Sequence, residues 1–246
     1  METLRAGAAS VLIGLATALI IVAVALPLFL NPLWVAFEQG RAQAAAWTGF
    51  SEPELRAATD AILADLVVGP PAFDVAVGGA PVLDERERGH MRDVRGVFVG
   101  FFAMALVVAA AALAIATRRR GIDRVRTWRA VRGGALALIA VFVVVGVVAV
   151  VAFDALFEVF HRVLFPGGSY TFDPATERLV QLFPFQFWQE TAIVLGAVCL
   201  ALAALVVVIA HGRAAATAAA ATAAGDRTGA MAGGSSPSMP ATGPTP

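Results

Sequence analysis

Residues 96–157 read GVFVGFFAMALVVAAAALAIATRRRGIDRVRTWRAVRGGALALIAVFVVVGVVAVVAFDALF. Two apolar runs, 96–117 and 134–157, enclose a basic connection. At about 1.5 Å per helical residue each run is long enough to cross roughly 30 Å of hydrocarbon. The connection at 118–133 holds Arg118, Arg119, Arg120, Arg124, Arg126, Arg129 and Arg132 against one acid, Asp123. A short loop this basic belongs on the cytoplasmic face and touches lipid phosphates there.

Working outward, residues 11–31 and 191–210 supply two more spans. The pattern predicts an all-α membrane protein with four transmembrane helices. With the basic loop inside, both termini are cytoplasmic (1–10 and 211–246), and segments 32–95 and 158–190 face outward as a small, mostly helical extracytoplasmic cap. Segment 32–95 carries ten acids against six arginines, as suits a translocated stretch. Ala42-Gln43-Ala44 resembles a cleavage site, but the apolar run before it exceeds a signal-peptide core, so a retained anchor is expected. The Ala-, Gly-, Ser- and Pro-rich stretch 211–246 is expected to be a disordered tail, its alanine run at most transiently helical.

Composition excludes several classes. The chain is 59% hydrophobic with zero formal net charge, and its 18 basic residues are all arginine. A formal net charge of zero gives no global basic signal for nucleic acid, and the basic loop is read first as a topology determinant. The single cysteine, Cys199, lies in an apolar run and has no disulfide or metal-cluster partner in the sequence. No cofactor motif is present.

In the first outward segment, Ser51-Glu52-Pro53-Glu54 predicts a capped helix start, and apolar residues recur at helical spacing over about 52–67. From Asp84 a charged helical pattern runs through His90 into the second span. Asp93 follows three residues later, where a carboxylate can meet the imidazole. At the outer end of the third span, Asp154, Glu158 and His161 form one helical stripe. An acid as deep as Asp154 either bonds a neighbouring helix or lines a charged pocket. The third histidine, His211, falls on the cytoplasmic side. Ser169, in Gly-Gly-Ser-Tyr, is the outward serine near a histidine motif, but its context is not a nucleophile elbow.

The stretches Gly89-His90-Met91-Arg92-Asp93-Val94-Arg95 and Phe160-His161-Arg162-Val163-Leu164-Phe165-Pro166, with Leu182-Phe183-Pro184 and Phe187-Trp188, resemble a bacterial four-span membrane family that includes the lipoprotein intramolecular transacylase. The 71-residue interval between the histidines also resembles it. The resemblance covers about residues 10–211. Tyr170 stands where the family often has tryptophan, Phe185 occupies a usually polar position, and the Ala-rich tail is extra. By that resemblance His90 and His161 are the functional histidines and Asp93 is the acid of the first motif.

The resemblance implies transfer of the inner acyl chain of a diacylated lipoprotein N-terminus onto the α-amine of the same cysteine. Tethered reactants exploit an effective molarity of up to about 10⁵–10⁸ M. The amine must lose a proton, and an imidazole with pKa near 6.5 can take it. His161 is expected as general base, with His90 as an orienting or electrophilic partner. Arg92, Arg162, Glu158 and Asp154 are expected as supporting charges. The implied partners are the lipoprotein N-terminus and membrane lipids, and the implied location is the cell membrane, with the site on its extracytoplasmic side. Two alternatives remain open from the residues: a metal-dependent membrane hydrolase, although no HExxH spacing is present, and a non-enzymatic membrane adaptor.

Overall fold

Within hydrocarbon a lipid-exposed chain can satisfy its backbone polar groups internally only as a helix or a closed barrel. The computed structural model describes residues 2–233. Four helices there are long and apolar enough to cross a membrane: α1 (Glu2–Ala25), α5 (Glu85–Arg118), α6 (Ile122–Val151) and α9 (Phe185–Gly233). Helix α1 packs against α5, α6 and α9, and α6 runs along α9. Ile21 of α1 meets Ala135 and Leu138 of α6 and Ala203 of α9; lower down, Ile13 and Ala16 meet Ala112 of α5. Small residues let the helices approach closely. A Cβ on Gly134 would collide with the Gly14 backbone, so α1 and α6 touch main chain to main chain.

One end of this bundle carries the cap. It comprises α2 (Pro32–Arg41), α3 (Ala44–Thr48), α4 (Glu52–Val67), a hairpin of β1 (Ala76–Val77) and β2 (Ala80–Pro81), and the short α8 (Arg178–Leu182). Asn31 caps α2, accepting from the N–H groups of Leu33 and Trp34 at 3.0 and 3.1 Å. Ser51 and Glu54 form the capping box of α4. The hairpin turns on Gly78 and Gly79, both at positive φ, where glycine avoids the Cβ clash. One apolar core joins Leu55, Ile62 and Leu66 of α4 with Phe73, Leu83, Met91, Leu182 and Phe187. Gln39 bridges the Thr59 hydroxyl and the Leu182 carbonyl at 3.0 and 2.9 Å. Arg41 pairs with Glu190, tying α2 to the head of α9.

Several element limits differ from the sequence reading. The basic segment 118–133 is not a loop: only Arg119–Gly121 breaks the helix, with Gly121 at φ +53. Arginine is a good helix former, so α6 starts at Ile122, well before the span. The third span ends early, at Val151; after an irregular Ala152, residues 153–157 belong to a separate helix, α7 (Phe153–Leu164). At the other terminus α9 continues through the alanine run to Gly233. A span already folded removes the nucleation cost, and alanine propagates the helix. The remainder of the expected disordered tail, 234–246, lies outside the described residues.

Candidate active site

His90 is positioned by the start of α5. Asp84 caps the helix, accepting from the Glu87 N–H at 2.8 Å while Glu87 accepts back from the Asp84 N–H at 2.7 Å. The apolar part of α5 starts at Gly96, so Glu85–Arg95 forms a polar stem ahead of the hydrocarbon. Glu87, only 2% exposed, also accepts from the Leu179 N–H at 2.6 Å and so fixes α8 against α5. Its burial raises the carboxyl pKa above the ordinary range.

His161 comes from α7, which turns polar residues to one side and apolar residues to the other. Val159, Phe160 and Val163 remain exposed, as suits a helix lying in the membrane interface. After α7 the chain loops back over α5. Arg86 holds this loop, donating to the Thr171 carbonyl at 2.7 Å, pairing with Glu177 and lying 4.9 Å from the Phe172 ring centroid.

The fold brings the two histidines together. Their ring centroids are 6.2 Å apart with planes inclined by 27°. Phe165 contacts both, at 4.9 Å from His90 and 5.7 Å from His161, and Phe172 closes the far side of His90 at 5.4 Å. His161 also meets Phe157 at 4.0 Å and Tyr170 at 5.2 Å.

Each ring has a polar partner at Nδ1. His161 Nδ1 lies 2.8 Å from the Phe157 carbonyl oxygen. A carbonyl only accepts, so Nδ1 carries the hydrogen and Nε2 keeps its lone pair. His90 Nδ1 lies 3.5 Å from Ser169 Oγ, which in turn donates to Asp93 Oδ2 at 3.1 Å. Asp93 therefore reaches His90 through a hydroxyl, not by the direct i+3 contact that the sequence invites. Burial, and then the neighbouring His161, push the His90 pKa down to about 4, although Asp93 acts the other way. Burial also lowers that of His161, against the Phe157 carbonyl and Glu158. Both shifts favour the neutral imidazole.

The other expected residues divide. Arg92 and Asp93 line a cleft of about 520 Å³ between α5 and the segment 164–169, although the Arg92 guanidinium also pairs with Glu85 at 2.6 Å. Glu158 accepts from the Tyr170 hydroxyl at 3.1 Å and from Arg162 at 3.4 Å. Asp154 is exposed and makes no hydrogen bond or ion pair among the described residues, so it is not part of the cluster. The break at Ala152 put it on the first turn of α7 instead of inside a span. His211 lies on α9, 26 residues beyond Phe185 or about 39 Å along the axis, far from the pair. Among the described residues no group of three or more His, Cys, Asp or Glu side chains is placed to hold a metal ion. Sequence reasoning missed the Ser169 bridge, the Tyr170–Glu158 bond and Glu87. The capping pattern Asp84-x-x-Glu87 was legible, but not its long-range contact with Leu179.

The architecture has known counterparts. The membrane integral lipoprotein intramolecular transacylase Lit from Bacillus cereus superposes with a TM-score of 0.67 at 16% identity, covering 85% of this chain and 95% of that one. Its variant with a histidine-to-arginine mutation gives 0.68 at 15% identity over 86% and 93% of the two chains. A histidine-to-alanine variant gives 0.67 at 15% over 85% and 94%. These likenesses establish the fold. No curated protein sequence matches the chain. The profile of the family described as lipoprotein intramolecular transacylase Lit matches residues 10–188, and the chain belongs to that family.

Proposed function

We propose that His161 and His90 carry out the acyl transfer for which the family is named, within a diacylated lipoprotein N-terminus. The observation that carries this reading is the pair itself: two imidazoles from different helices, 6.2 Å apart, behind the Phe165 wall of a cleft. The substrate α-amine attacks the ester carbonyl of an acyl chain on the same cysteine. A nitrogen–carbon bond forms, the carbon–oxygen bond to glycerol breaks, and the amine proton finishes on the glyceryl oxygen. His161 Nε2 is the proton carrier, accepting from the amine and then donating to the leaving oxygen. His90, braced by Ser169, orients the amine. Arg92, although paired with Glu85, lines the cleft and is the cation that faces the developing oxyanion; Arg162 does not line it. The tether between amine and ester makes an acyl-enzyme unnecessary, and Ser169 serves as a bridge, not a nucleophile.

The arginines at 118–132 support a cytoplasmic position for that end of the bundle, and with it for both termini. The cap and histidine pair then stand on the extracytoplasmic side, within reach of lipoproteins and bilayer lipids. Mass spectrometry of lipoprotein N-terminal peptides, from cells with and without the protein, tests the reading. An N-acylated, mono-acylglyceryl form is expected, and it is expected to vanish in His161→Ala and in His90→Ala. An unchanged lipid pattern, or full activity of both variants, would instead favour a non-catalytic adaptor.

A further inference from the structure

The cleft beside the histidines is lined by two consecutive residues of opposite charge, Arg92 and Asp93. They are held differently. Arg92 pairs with Glu85 at 2.6 Å, and the next arginine on α5, Arg95, donates to the Asp65 carbonyl. The acids nearer the start of α5 are also engaged: Glu85 by Arg88 and Arg92, Glu87 by the N–H groups of Asp84 and Leu179. Asp93 forms no ion pair among the described residues. Its Oδ2 accepts from Ser169 Oγ at 3.1 Å, and its Oδ1 has no hydrogen-bond partner among them.

An exposed carboxylate without a cation is ordinary on an open surface. Asp93 instead stands in a cleft that it shares with Val97, Leu164 and Phe165, where apolar walls strengthen the attraction for a cation that enters. It is also tied to the histidine pair, because the hydroxyl it accepts from is the one facing His90 Nδ1. The substrate brings the matching group. An α-amine with a pKa of about 7.7–8.0 is mostly ammonium at neutral pH, a compact cation with only N–H donors. An N-acylated cysteine has lost that charge.

We propose that Asp93 docks the α-ammonium of the lipoprotein cysteine and so selects chains whose N-terminus is free. The inference rests on the transacylase reading of the histidine pair and adds the group that recognises the amine. Oδ1 takes the ammonium while Ser169 holds Oδ2, with Arg92 on the same wall for the ester oxygen. Of the three ammonium protons, one leaves to solvent as the free base forms, one ends on the glyceryl oxygen, and one stays on the new amide. The product therefore gives up its contact with Asp93 as the reaction completes.

The test uses the full-length protein in phosphatidylcholine nanodiscs and ether-linked dialkylglyceryl-cysteine peptides, which bind but cannot transfer a chain. One peptide carries the α-amine and the other is des-amino. Wild type is expected to bind the amine peptide about tenfold more tightly at pH 7, the worth of one hydrogen bond to a charged group. Asp93→Asn keeps an acceptor for Ser169 but loses the charge, and is expected to reduce that preference to about twofold or less. Asp60→Asn removes the same charge from exposed α4, outside the cleft, and is expected to keep the preference. With the ester substrate, Asp93→Asn is expected to raise KM by about tenfold and leave kcat within about threefold. No preference in wild type, or an undiminished one in Asp93→Asn, overturns the proposal.

Phosphatidylethanolamine also presents a primary ammonium beside glycerol esters, so the comparison is repeated in discs that contain it. A preference that survives there supports the lipoprotein amine as the ligand, and one erased there would give Asp93 to the lipid headgroup and overturn the proposal. Binding of the ether peptides needs no turnover. A wild type that prefers the amine yet transfers no acyl chain would defeat the catalytic reading and leave the ammonium site standing.

Discussion

His161 Nδ1 donates to the Phe157 carbonyl oxygen, 2.8 Å away and one turn back on the same helix. That bond makes a symmetric-looking pair of imidazoles chemically unequal. It uses a carbonyl within α7 as a fixed acceptor, leaving the Nε2 lone pair of His161 available for the proposed proton transfer. His90 Nδ1 instead faces, at a longer 3.5 Å, a serine hydroxyl that is itself committed to Asp93. A positioned general base contributes about 10²–10⁴-fold to a proton transfer. His161→Ala is therefore expected to cut the transfer rate by about that factor, with substrate KM nearly unchanged, measured by single-turnover mass spectrometry.

Ser169→Ala separates bridging from nucleophilic catalysis. Losing the bridge loosens His90 but removes no reacting group, so a fall of about tenfold is expected, on the order of one lost hydrogen bond. A nucleophile would be needed on every turnover, and its loss would abolish the reaction along with any covalent acyl adduct in the intact mass.

The acid limb of the pH–rate profile reports the base. Burial lowers the His161 pKa from its usual 6.5, so the rate is expected to hold near neutrality and to fall only below pH 6.5. Glu158 favours the imidazolium and partly offsets that burial. Glu158→Gln removes the offset, so the acid limb should move to lower pH; a shift to higher pH would contradict the assignment.

Glu87 is a structural acid under the site. Replacing it with alanine strips the Leu179 and Asp84 N–H groups of their acceptor in a buried position. A loss of about 1–3 kcal/mol is expected, read as a lower unfolding temperature in detergent.

Gly134→Val tests the bundle. The added side chain has no room against the Gly14 backbone, so α1 and α6 must separate. Destabilisation of about 1–3 kcal/mol is expected, whereas Gly96→Ala, with open space around it, should leave thermal stability unchanged.

Charge and hydropathy in the chain alone determined the four spans and the all-helical class, because a backbone in hydrocarbon has so few ways to bond its own polar groups. The capping box at Ser51 and Glu54 was legible for a similar reason: its partners are three residues apart. The family motifs singled out His90 and His161, but only the tertiary structure decided their surroundings. The Ser169 hydroxyl reaches Asp93 across 76 residues, and Tyr170 meets Glu158 only because the chain turns back after α7. Asp154 shares a helix face with Glu158 in sequence terms, yet the backbone break at Ala152 sets where that face points. Local bonds follow from neighbouring residues; a site assembled from α5, α7 and the returning loop follows from packing, which no short stretch of sequence contains.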